Sequence, residues 1–216
     1  MQSKIVHLLA SSDSAGNPRN SEGSFIRLHD NRIAFYYTRY CGESFHDHAN
    51  ADIAVCYSSD QGETWTDYEI VLKGPDDGNV MSISMLRLQD GRIMMAYLKK
   101  QILTDMVLCR PFCCFSSDEG KSWTEPVCII QTPGYFVGNN DRLIQLQSGR
   151  IIYPVAFTNQ VNSGGIDFIY YSDDNGNTWQ PSSWILPPAD KQNDGSCGLQ
   201  EPGTVELPEN NHLMCW

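Results

Sequence analysis

Three octets set the scale on which this chain must fold. "SSDQGETW" at 58–65, "SSDEGKSW" at 116–123 and "SDDNGNTW" at 172–179 carry Asp60, Asp118 and Asp174, spaced by 58 and then 56 residues. A second signature keeps the same beat: "RLHDNRIAFYY" from Arg27, "RLQDGRIMMAY" from Arg87, "QLQSGRIIYPV" from Gln145 and a worn "ELPENNHLMCW" from Glu206. Apolar alternation on either side of Asp-Asn or Asp-Gly predicts a tight hairpin. Each period therefore reads as strand, tight turn, strand, longer loop, strand, octet, strand. Four antiparallel strands repeated at this period predict the blade of a β-propeller, an all-β fold. The expected blades are 21–72, 81–130, 139–187 and an incomplete 200–216, within a single domain.

The octet has a structural chemistry of its own. Serine and aspartate side chains accept hydrogen bonds from the N–H groups of their own turn, and glycine supplies a left-handed φ. Trp65, Trp123 and Trp179 then close each blade against its neighbour as large apolar plugs. In an up-and-down meander the octets and the tight turns share one end of the blade. The second-to-third-strand loops lie at the other. Asp60, Asp118 and Asp174 are thus read as builders of the fold, on the face away from any chemistry.

The opposite end collects the irregular segments "CGESFHDHAN", "KKQILTDMVLCR" and "TNQVNSGGID". It also receives the starts of the innermost strands. Counting back from the hairpin signature makes Glu22, Ser82, Asn140 and Glu201 equivalent, all polar in strands that otherwise line a core. Recurrent polar groups at a channel mouth read as a ligand site, with a solvated strand end as the alternative. Glu22, Asp47, Asp141 and Glu201 are its carboxylates, and Arg19, Arg39, Arg110 and Arg142 are the arginines within reach. Asn139 and Asn140 in "GNNDR" suit either sugar hydroxyls or a left-handed turn. Lys99 and Lys100 read as a solvated loop.

Composition narrows the partners. With 41% hydrophobic and 19% charged residues in 216, the chain can bury a sizeable core. A formal net charge of −11 argues against nucleic acid or an anionic membrane as partner, but a local arginine cluster leaves room for an anionic small ligand. No apolar run approaches the ~20 residues of a membrane span. "MQSKIVHLLASSDSAG" has no secretory h-region, so the expected location is the cytoplasm, or outside the cell if a leader was trimmed. Eight cysteines without a CxxC pair read as reduced thiols. His46 and His48 lack further ligands at useful spacing, so neither a metal nor another cofactor is expected.

"S-x-D-x-G-x-[TS]-W", once per blade, resembles the Asp box of the sialidases (neuraminidases). The resemblance implies a six-bladed propeller, of which about three blades and the start of a fourth are legible here. It therefore implies further sequence, or a second chain, to complete the ring. It also implies a glycoside hydrolase that removes a terminal, acidic sugar with retention, using a tyrosine nucleophile activated by a glutamate. "YTRYCGESFHDHANADIAV" is similar to the sialidase segment that carries the general acid/base. By that likeness Asp47 is the acid/base and Arg39 a substrate contact. "QEPGTVEL" is similar to the segment with the activating glutamate, which makes Glu201 its counterpart. Arg142, with Asn140, Asp141, Glu22 and Arg19, completes the implied sugar contacts. The sequence departs from the family where its first blade opens on R-I-P: here Ser21 takes the arginine's place, Arg19 lies two residues earlier, and Glu22 brings an acid into a basic pocket. The later triad arginines and the tyrosine would fall beyond Trp216. Glu22, Asp47 and Glu201 as the carboxylate cluster of another glycosidase or lyase, and a non-catalytic glycan- or protein-binding propeller, are the other readings.

Overall fold

A computed structural model describes residues 5–6, 16–158, 165–186, 200–208 and 212–216, and these are all β-strand, turn and loop. The first blade is β1 (Asn20–Arg27), β2 (Ile33–Tyr40), β3 (Ala51–Ser58) and β4 (Glu69–Leu72). The second is β5 (Gly78–Arg87), β6 (Ile93–Ile102), β7 (Val107–Ser116) and β8 (Val127–Cys128). In the third, the innermost strand is split into β9 (Tyr135–Val137) and β10 (Ile144–Gln145), followed by β11 (Ile151–Thr158), β12 (Ile166–Ser172) and β13 (Gln180–Leu186). A hairpin of β14 (Thr204–Glu206) and β15 (Leu213–Cys215) begins a fourth. Within each blade, neighbouring strands pair antiparallel. The fold is a β-propeller built of four-stranded meanders.

Strand alternation sorts the apolar residues into two seams. Ile26, Tyr36, Ile53 and Val55 of the first blade meet Ile83, Met85, Met95 and Tyr97 of the second. Met94, Ala96, Cys113 and Phe115 of the second blade meet Phe136, Leu143, Ile151 and Tyr153 of the third. Strand β6 serves both seams, Met95 and Tyr97 on one face and Met94 and Ala96 on the other. That is why "IMMAY" reads as an unbroken apolar run. Each such residue withdrawn from water contributes about 1.5–3 kcal/mol before chain entropy is charged against it.

Single parallel bridges lace the blades together at the loop end: Ala51 of β3 to Asn79 of β5, and Cys109 of β7 to Tyr135 of β9. The octets lock the opposite end. In the second octet the Ser116 hydroxyl donates to Asp118 Oδ1 at 2.8 Å and accepts from the Gly120 N–H at 2.8 Å. Asp118 in turn accepts from the Ser122 N–H and hydroxyl, at 2.9 and 2.6 Å. The first and third octets repeat this set around Asp60 and Asp174. Left-handed backbone extends one residue further than glycine alone would supply, to Gln61, Glu119 and Asn175, each just before its glycine. The tryptophans dock backwards. Trp123 meets Tyr36 of the preceding blade edge-on at 6.0 Å, and Trp179 joins the second seam. Trp65 packs with Phe35 and Tyr37 on the other face of the first blade, where Phe25 is 55% exposed.

Candidate functional site

Each blade places one non-glycine residue in left-handed backbone at or near its innermost strand. Strand β1 bulges between Ser21 and Ser24, and β5 between Met81 and Ser84. Each bulge puts a polar residue in left-handed backbone: Glu22 at φ 49° and Ser82 at φ 56°, matched by Asp141 at 58° and Glu201 at 56° in the next two blades. Non-glycine residues held there cost of order 1–3 kcal/mol each, and such strain gathers at functional sites. In the third blade the residue is Asp141 and not Asn140, as the repeat alignment gave it. Asp141 lies four positions before Gln145, whereas Glu22, Ser82 and Glu201 lie five before Arg27, Arg87 and Glu206, so counting back from the hairpin overshoots by one.

These bulges knit the axis. The Ser82 hydroxyl donates to Glu22 Oε2 at 3.0 Å, and the Ser24 hydroxyl donates to Asp141 Oδ1 at 2.8 Å while accepting from the Met85 N–H. Asn140 donates to the Gly23 carbonyl at 2.9 Å, and Asn139 donates to Glu201 Oε2 at 2.8 Å. Asn139, Asn140 and Asp141 thus make inter-blade bonds. The Arg142 N–H bonds Ser84 Oγ, and its guanidinium lies 5.9 Å over the Trp216 ring.

Beside Glu22 the geometry is denser. The loop from Cys41 to Asn50 closes on itself through the Cys41 N–H to the Asn50 carbonyl, and it presents Asp47 with its side chain 61% exposed. Arg19 Nη1 donates to the Asp47 carboxylate and to the Phe45 carbonyl, and its guanidinium lies 4.7 Å over the Tyr40 ring. The second blade holds the loop from below. Asn79 donates its amide to the carbonyls of Asp47 and Ala49 at 2.8 and 2.9 Å. Lys100, only 3% exposed, donates Nζ to the Asp47 carbonyl at 3.1 Å and sits 5.7 Å over the Tyr135 ring. His48 meets Tyr135 edge-on at 6.3 Å.

Electrostatics separate the two carboxylates. The hydrogen bond from Arg19 holds Asp47 below the usual carboxylate range, against partial burial. Burial pushes Glu22 up, and the nearby Asp47 adds to this, while Ser82, Lys100 and Arg19 restrain it. Burial with Lys100 nearby lowers His48 below its ordinary 6.5. Burial lifts Tyr40 to about 12 and takes Tyr135 higher still, so both phenols are neutral here.

The structure therefore joins Arg19, Glu22 and Asp47. Glu201 sits at the corresponding point of the fourth blade, tied to Asn139. Arg39 is placed elsewhere: adjacent to Tyr40 on β2, it faces the other side of the strand, with its guanidinium 4.5 Å over Tyr68 and toward Cys41. Arg110 bonds the Gln131 carbonyl. Lys100 corrects the reading of a solvated loop. Strand β6 runs on to Ile102, and the alternation Met94, Ala96, Leu98, Lys100 carries the ammonium inward. That continuing period of two was the signal for it. Asn79 and Tyr135 gave no such signal, since each is recruited by a neighbouring blade. Of the loop at 158–167, residues 159–164 lie outside the described residues.

Comparison with known proteins agrees with this fold. Over 193 residues, 74% of this chain and 45% of the relative, the sequence is 24% identical to a sialidase of Paraclostridium sordellii. A Dyadobacter fermentans protein of unknown function superposes with a TM-score of 0.72 at 21% identity, covering 93% of this chain and 62% of that one. A Hadza microbial sialidase superposes with a TM-score of 0.66 at 18% identity, over 91% of this chain and 41% of its own. The chain thus spans about half the length of the curated relative it matches. Residues 43–200 match the model of the BNR repeat-like domain, and the chain belongs to that family.

Proposed function

We propose that this propeller is the sugar-binding and proton-transfer part of a sialidase-like glycoside hydrolase acting on a terminal, acidic sugar. The observation that carries the reading is the convergence of Arg19, Lys100, Glu22 and Asp47 at the loop end of the first two blades. An exposed carboxylate on the lip, Asp47, suits a general acid/base, because the leaving group of a terminal sugar points toward solvent. Its tie to Arg19 keeps it ionised in the free protein. A sugar carboxylate that takes over Arg19 would release Asp47 to carry a proton. Glu201, held by Asn139, takes the part of the carboxylate that activates the nucleophile. Hydrolysis of a fluorogenic sialoside by the full-length protein tests the reading, with Asp47→Ala expected to lose about 10²–10⁴-fold in kcat. Absence of turnover, or a wild-type rate in Asp47→Ala, would sink it.

Glu22 favours a second reading. A partly buried acid between the two cations offsets them, and a neutral sugar would meet less opposition there than in a purely basic pocket. Neutral glycosides turned over faster than sialosides would select this reading.

A further inference from the structure

Lys100 and Glu22 are the pair the resemblance does not explain. Lys100 is a buried ammonium with one carbonyl acceptor, Asp47 O, among the described residues. Glu22 accepts one hydrogen bond at Oε2, from Ser82, in strained backbone. Around Glu22 stand Arg19 before β1, Tyr40 on β2, Asp47 and His48 on the loop, Lys100 on β6, Cys109 on β7 and Tyr135 on β9. The phenols and the buried thiol are neutral across the working range. The ionised set is therefore Arg19 and Lys100 against Asp47 and, when deprotonated, Glu22.

We propose that Arg19 and Lys100 form a cradle for one anionic group, and that Glu22 is its internal competitor, so that the cradle opens when Glu22 takes a proton. With Glu22 ionised, the two cations are balanced by two carboxylates, and an incoming carboxylate gains no net attraction. With Glu22 neutral, one positive charge is left over, and the Glu22 hydroxyl becomes a donor to the same ligand. Burial holds Glu22 above the ordinary carboxylate range while the Arg19 bond holds Asp47 below it, so the two do not exchange roles as pH changes. The inference rests on the reading that the pocket takes an acidic sugar.

Calorimetric titration of the full-length protein with 2-deoxy-2,3-dehydro-N-acetylneuraminic acid and with its uncharged methyl ester, from about pH 4 to 8, tests this. For the acid, affinity is expected to fall by up to about tenfold per pH unit above the Glu22 titration, the limit for one linked proton. Glu22→Gln, which fixes the neutral shape, should bind the acid tightly with a flat profile. Lys100→Met should bind it weakly at every pH. The double variant Glu22→Gln/Lys100→Met leaves no uncompensated carboxylate, and it should also bind weakly even if Lys100→Met alone fails to fold. A pH dependence that survives Glu22→Gln belongs to His48 and overturns the proposal. So does wild-type affinity in the double variant. If acid and ester bind equally at all pH values, the acidic-sugar reading itself fails. If the acid is preferred but its affinity is flat with pH, only the competitor role of Glu22 fails.

Discussion

Ser24 shows how much one side chain can hold at the axis. It is 1% exposed, and its single hydroxyl donates to Asp141 of the third blade and accepts from Met85 N–H of the second. Removing it leaves a buried N–H without its acceptor, which costs about 1–3 kcal/mol. Ser24→Ala should therefore lower stability by that amount in urea unfolding with an unchanged m-value. A loss under about 0.5 kcal/mol would mean the hydroxyl is dispensable. The same residues show where sequence reading reached and where it stopped. Glu22 and Glu201 stand out as polar residues at the same place in repeats that are otherwise apolar. Asp141 was displaced by one because the third repeat is one residue shorter between this position and its hairpin, and a deletion is invisible to counting. Asn79 could not be found from its own neighbours in sequence, because its role is fixed by a loop some thirty residues earlier that reaches it only across the seam.

At the scale of the element, the octet was nearly all legible, because its bonds are local and its partners lie within four residues. Its acid sensitivity follows from the same locality. Hydroxyl and N–H donors lower Asp118 to about 2, led by the Ser122 hydroxyl, and lower Asp60 in the same way. A carboxylate depressed in the folded state contributes stability above its ordinary value of 3.8, and loses it as pH falls through the lowered one. Melting temperature should therefore drop between about pH 4 and 2, and Asp118→Asn should flatten that part of the profile. An unchanged slope in the variant would place the acid lability elsewhere. The glycine is under a different constraint. At Gly176, φ is +87° and an added Cβ would come within 2.6 Å of the Phe115 ring, so Gly176→Ala should destabilise by more than the ~1 kcal/mol of a backbone penalty alone. Equal stability of wild type and variant by thermal melting would refute this.

Across the whole molecule, stability is distributed over seams, each made by two blades. Ile53 belongs to the first seam and Ile151 to the second. Trimming either to valine should cost about 0.5–1.5 kcal/mol. The double variant should cost the sum within about 0.5 kcal/mol, since the two share no partners. A clear excess would mean that the seams are coupled through β5 and β6. This layered construction also bears on Asn79. The residue that makes the bridge to Ala51 is also the one whose amide clasps the carbonyls of Asp47 and Ala49. Loosening of the first seam would therefore switch off the candidate site before the blades themselves came apart. The joint is a thermal fuse: on heating, any activity should fade ahead of the global transition.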